Sequence, residues 1–85
     1  MFQKVYGDCM KSFKVMLSSI VDVKNFVNLV NEFSFDVDMV SGRYVVDAKS
    51  LMGIFSLELS KPIVMRVYSE ETEAFEKALK EFIVD

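Results

Sequence analysis

None of the 85 residues is a histidine. No imidazole is therefore available as nucleophile, general base, metal ligand or phosphate carrier. Few other groups could do chemistry. Ser50 sits in Val46-Asp47-Ala48-Lys49-Ser50-Leu51-Met52-Gly53-Ile54-Phe55-Ser56-Leu57, between the end of a strand-like run and a short apolar stretch. A serine there suits a helix N-cap, a position serine favours. Ser19, with Asp22 three residues on, has the spacing of a second N-cap. Cys9 is the only cysteine, has no activating neighbour and reads as inert. Asp36 and Asp38 alternate along a strand and read as a solvated face, with no third ligand at metal-binding spacing. Glu70, Glu71 and Glu73 read as the solvated first turn of a helix. No nucleophile–base pair, ligand cluster or phosphate-cradling glycine loop is visible, which argues against an enzyme and against a cofactor or metal.

The bulk properties narrow the classes further. Thirteen acidic residues against ten scattered basic ones give a net charge of −3, a poor footprint for nucleic acid. No apolar run is long enough to span a bilayer. A single cysteine and no secretory signal point to a reducing compartment and a cytoplasmic protein. A chain this short is marginal by size, but eight Phe and six Met supply the side chains for a real core.

The elements that must position Ser50 and Ser19 follow from periodicity. Residues 1–11 show neither helical nor strand spacing and read as a flexible N-terminal extension, with Met10 a competing start site to Met1. Residues 12–85 read as the folded domain. Phe13, Val15 and Leu17 alternate with Lys14, Met16 and Ser18, which predicts a half-buried strand to Ser18. Ile20, Val23, Phe26, Val27, Val30 and Phe33 recur at helical spacing, which predicts a helix from Ile20 to Glu32. Phe35, Val37 and Met39 predict a second strand. Ser41-Gly42 predicts a hairpin turn, and Tyr44 to Asp47 the returning strand. Ser50 precedes a short helix from Leu51 to Leu57. Pro62 opens a strand from Ile63 to Tyr68. Ser69 caps a final helix with Phe75, Ala78, Leu79 and Phe82 as its apolar stripe, and Glu73–Lys77 and Glu76–Lys80 as i,i+4 pairs. The expected fold is α+β, in the order β-α-β-β-α-β-α, with a four-stranded antiparallel sheet covered by helices on one face.

That order, with Ala48-Lys49-Ser50 at a strand end followed by Leu51-Met52-Gly53, resembles HPr, the histidine-containing phosphocarrier of the bacterial sugar phosphotransferase system. Phe33 to Ser50 runs in HPr register without a gap, Gly42 included, and Phe26-Val27 fits the family's first helix. The resemblance extends from about Phe13 to the C-terminus. It implies an open-faced β-sandwich. It places the family's carrier histidine at Ser19, its arginine at Val21 and its proline at Asp22, in a segment that looks shortened. A serine phosphate ester lacks the lability of a phosphoimidazole, Val21 cannot hold phosphate bidentately as arginine does, and Asp22 repels an anion at a helix N-terminus that otherwise attracts one.

The resemblance also implies a regulatory role for Ser50, which matches the serine phosphorylated by a dedicated kinase in HPr of Gram-positive bacteria to control catabolite repression. Lys49, Leu51, Met52 and Phe55 fall in the family's partner-docking segment. Leu51, Met52 and Phe55 are either an adaptable exposed patch or core. The implied partners are proteins: an HPr-type serine kinase and a transcriptional regulator. The expected function is that of a degenerate, regulatory, protein-binding HPr-like module. The alternative is an interaction domain that reuses the fold with no part in phosphotransfer or its regulation.

Overall fold

The computed structural model describes residues 11–84. The readings that fall on Met1, Cys9 and Met10 lie outside these residues. Lys11, placed by sequence in the extension, is the first residue of β1 (Lys11–Val15). Then follow α1 (Ile20–Val30), β2 (Val37–Ser41), β3 (Tyr44–Asp47), α2 (Leu51–Phe55), β4 (Ile63–Val67), α3 (Glu73–Ala78) and β5 (Ile83–Val84). The sheet has five antiparallel strands in the order β3-β2-β4-β1-β5, one more than the sequence predicts. The extra strand is two residues long and pairs Lys14 with Val84 and Val15 with Ile83, too short to show a period of its own.

Strand alternation divides the sheet into two faces. Val15, Val37, Met39, Ile63, Met65 and Val67 are fully buried on the helix-covered face, against Val23, Phe26, Val30, Ile54, Phe75 and Leu79. Each such side chain contributes about 1.5–3 kcal/mol by leaving water. The other face carries Ser12, Arg66, Asp38 and Asp47 in one cross-strand row, and Val84, Lys14, Val64, Val40 and Val45 in the next. Asp38 is buried in its row, not solvated as its alternation suggests, because it sits between the flanking strands at the Arg66 and Asp47 positions. Gly42 has φ +61° in the two-residue turn between β2 and β3, a conformation that costs a side-chain-bearing residue roughly 1–2 kcal/mol.

Most boundaries differ from the sequence reading; α2 ends at Phe55, short of Leu57, and β4 at Val67, short of Tyr68. α1 stops at Val30, short of Glu32, because the Asn31 amide turns back to the Val27 carbonyl (2.9 Å) and reaches the Lys49 carbonyl (3.2 Å). β2 begins at Val37 because Phe33 and Phe35 stack against Phe75, with ring centroids 5.1 and 5.3 Å from it. β1 ends at Val15, and Leu17 is buried beyond it. α3 starts at Glu73, not after Ser69, because the Ser69 hydroxyl is spent on a turn with Glu71, accepting from its N–H (3.2 Å) and donating to its carbonyl (3.1 Å). Glu70 and Glu71 thus precede the helix.

Thr72 takes the N-cap position of α3 without capping the backbone. Its buried hydroxyl donates to the Glu76 carboxylate at 2.7 Å, and Lys11 from β1 reaches the same oxygen at 3.3 Å, so the ion pair of Glu76 is with Lys11 and not the i,i+4 pair with Lys80. The Thr72 hydrogen bond, opposed by burial and reinforced by Lys11, holds the Glu76 carboxyl below its ordinary value. A folded-state pKa below the unfolded one contributes stability that is present above the unfolded value and lost as pH falls through the folded one. Thr72→Val, which keeps the shape and removes the hydroxyl, is expected to move the Glu76 midpoint up toward 4.5. Carboxyl-carbon NMR titration reads the shift. An unchanged midpoint would assign the effect to Lys11 alone.

Candidate functional site

Ser50 enters α2 in extended conformation (φ −104°, ψ 111°), and its Oγ accepts from the Gly53 N–H at 3.1 Å. The approach is close. A Cβ built on Gly53 would stand 3.2 Å from Ser50 Oγ and 3.2 Å from Val46 Cβ, so a larger residue there would have to push one of these neighbours aside by a few tenths of an ångström. The Ser50 N–H donates to the Asp47 carbonyl (3.0 Å) and the Lys49 N–H to the Asp47 carboxylate (2.9 Å), which fixes the strand-to-helix corner. Ser50 is exposed. Its helix offers the first-turn N–H groups of Leu51 and Met52, which have no intrahelical acceptor.

The sequence grouped Lys49, Leu51, Met52 and Phe55 as one patch, and the structure divides them. The Lys49 ammonium donates to the Phe33 carbonyl at 2.6 Å, and its own carbonyl accepts from Asn31, so it ties α2 to the end of α1. Leu51 packs against the core. Met52 is 77% exposed, and Phe55 is exposed beside it. Two further residues were missed as surface: Ile20 and Val21, 64% and 63% exposed on the first turn of α1, a helix in contact with α2. Ile20 fits the apolar stripe by spacing. It escapes burial because it stands at the helix's first position, past the edge of the sheet-facing row that starts at Val23.

Ser19 is the N-cap of α1 (φ −149°, ψ 166°), with Oγ accepting from the Asp22 N–H at 3.1 Å. The Asp22 carboxylate in turn accepts from the Ser18 N–H (3.2 Å) and the Ser18 hydroxyl (3.0 Å). A charge of the chain's own thus lies at the positive end of α1, where an anion from solution would otherwise bind. Four residues, Met16 to Ser19, link β1 to α1.

One cleft, of about 740 Å³, runs between α3 and the β1–β5 edge, lined by Phe13, Glu76, Lys77, Lys80 and Ile83; neither Ser19 nor Ser50 opens into it. Among the described residues no group of three His, Cys, Asp or Glu side chains could hold a metal ion, and no helix is long and apolar enough to cross a membrane.

The family model described as the PTS HPr component phosphorylation site matches residues 22–84. The chain belongs to the HPr family. Two solved structures show the same fold over most of their length. HPr-C-His from Thermoanaerobacter tengcongensis is 25% identical with a TM-score of 0.71, over 85% of this chain and 89% of its own. A phosphocarrier protein HPr from Bacillus anthracis str. Ames is 26% identical with a TM-score of 0.70, over 88% of this chain and 99% of its own. No curated protein matches the chain. The HPr match begins at Asp22, after Ser19 and Val21, so it covers the Ser50 corner and not the β1–α1 loop.

Proposed function

We propose that this HPr-family protein is a regulatory, protein-binding module that neither carries phosphate on an imidazole nor acts as an enzyme. In this reading it works in the cytoplasm of a bacterium alongside the phosphotransferase system. One observation carries the proposal. The N-terminus of α1 is filled by the Asp22 carboxylate bonded to Ser18, while the Ser50 corner keeps an exposed hydroxyl at a helix start beside exposed Met52 and Phe55. The chemistry of the first site is spent on holding the fold, and that of the second is open to a partner.

Ser50 is the proposed switch. A phosphate there meets the first-turn N–H groups of α2 and sets two negative charges against an apolar patch, which changes which surfaces that patch can dock on. The partners proposed are an HPr-type serine kinase and a transcriptional regulator. The Gly53 N–H bond to Ser50 Oγ also favours a second reading, in which Ser50 is a helix cap and the protein an interaction domain without a part in phosphotransfer.

Incubation with an HPr-type serine kinase and ATP separates the two. Intact mass is expected to rise by one phosphate in the wild type and not in Ser50→Ala. No added phosphate on the folded protein, beside an HPr control that is modified, would leave the second reading.

A further inference from the structure

β3 stands at the edge of the sheet, with β2 on one side and no strand beyond it among the described residues. An open edge is a template for another strand, and natural proteins blunt such edges with like charges, prolines or bulges. This edge carries Tyr44-Val45-Val46-Asp47, preceded in the turn by Arg43, with Tyr44 69% and Val45 54% exposed. The pairing with β2 settles which backbone groups face outward. The Ala48 N–H donates to the Val37 carbonyl at 2.9 Å, so the Val37–Ala48 pair is hydrogen-bonded. Pairs alternate along an antiparallel ladder. Met39–Val46 and Ser41–Tyr44 are then hydrogen-bonded as well, and Val40–Val45 and Asp38–Asp47 are not. The N–H and C=O of Val45 therefore point away from β2, toward solvent.

We infer that β3 is the site of a two-fold, edge-to-edge association of this chain with a second copy, giving a continuous antiparallel sheet across the pair. The charge pattern selects both the partner and the register. Centred on Val45, each Val45 exchanges two hydrogen bonds with Val45 of the second copy. Arg43, in the turn just before β3, then lies at the end of the edge beside Asp47 of the second copy, and Asp47 beside its Arg43, two attractive charge pairs generated by one two-fold axis. Sliding by one step to centre on Val46 would set Asp47 against Val45 and lose both pairs. Arg43 is exposed and makes no ion pair among the described residues, and Asp47 uses one carboxylate oxygen on the Lys49 N–H. On the open face the row Val84, Val64, Val40 and Val45, broken only by Lys14, would run on through Val45 of the second copy into the same row reversed. Four-residue edges bury little surface, so the dimer is weak, with a dissociation constant on the order of 0.1 mM. The association is independent of the role proposed for Ser50.

Sedimentation equilibrium of the full chain across concentrations tests it. The wild type is expected to dimerise. Arg43→Asp sets carboxylate against carboxylate, Asp47→Arg sets guanidinium against guanidinium, and each is expected to raise the dissociation constant about tenfold or more. An equimolar mixture of the two variants restores both pairs and is expected to recover a heterodimer. Val45→Pro removes the outward N–H without touching the bonds to β2, and is expected to abolish association with the fold intact by circular dichroism. A wild type that stays monomeric up to about 1 mM overturns the inference. So does a dimer that survives Arg43→Asp, or a mixture of folded charge variants that fails to associate.

Discussion

Ser19→His alone is expected to leave the protein without a transferable phosphate, whereas Ser19→His combined with Val21→Arg and Asp22→Pro is expected to gain one. The single change supplies an imidazole but keeps the Asp22 carboxylate, which is held at the head of α1 by the Ser18 N–H and hydroxyl. At about 4 Å and an effective dielectric near 20, unit charges interact by about 4 kcal/mol. A phosphoryl group arriving beside that carboxylate thus faces roughly a thousandfold disadvantage. The triple variant removes the carboxylate and adds a guanidinium that binds phosphate bidentately. It also places proline in the first turn, where the N–H has no intrahelical acceptor and where the same variant has already removed its capping partner, the Ser19 hydroxyl. The measurement is intact mass after incubation with the phosphotransferase-system donor of HPr, with acid lability marking a phosphoimidazole. Equal phosphorylation of the single and triple variants would show that Asp22 does not guard the site. Failure of both would put the cause in the short Met16–Ser19 connection.

Where each element follows a local rule, the fold was legible in the sequence. The 3.6-residue stripe Val23, Phe26, Val27, Val30 is the buried face of α1, and Gly42 marks the hairpin because its φ is positive. The Ser50 and Ser19 caps were legible because a cap is a contact over three residues. Long-range contacts overruled the pattern elsewhere. β5 exists because Phe82 folds back under α1, edge-on to Phe26 at 5.7 Å, and the Phe82 carbonyl accepts from the Met16 N–H at 2.9 Å. Asp38 is buried by neighbours far from it in sequence. The Ser50 corner was half legible: the resemblance named its residues, but a five-residue helix has little more than one turn. Periodicity could not say that Leu51 turns inward while Met52 turns out. Ile20 read as core because apolar spacing does not separate a face that meets the sheet from one left exposed.

Phe75→Ala is expected to cost about 3–5 kcal/mol. Phe75 is 1% exposed and takes the rings of Phe33 and Phe35 edge-on, at 80° and 64° between planes. No other residue of α3 itself is a large buried apolar side chain, since Leu79 and Phe82 follow the helix. Six residues cannot hold a helix in water by propensity. The loss therefore falls first on α3 and on β5, which follows it in the chain. A domain of this size holds about 4–13 kcal/mol in all, so the variant retains a folded majority only if α3 can detach without the rest. The core of α1, β2 and β4 makes that separation available: Val23, Val30, Val37, Met39 and Met65 are fully buried without being residues of α3. The expected result is an unfolding midpoint lowered strongly, with amide exchange protection lost across residues 73–84 and retained in α1 and β4. Because Ser50, Met52 and Ile20 stand on α1 and α2, modification of Ser50 should persist in whatever fraction stays folded. Simultaneous loss of protection in α1 and α3 would instead make the domain one cooperative unit, with the Ser50 corner coupled to Phe75 through Phe33, whose ring meets Phe75 and whose carbonyl holds Lys49.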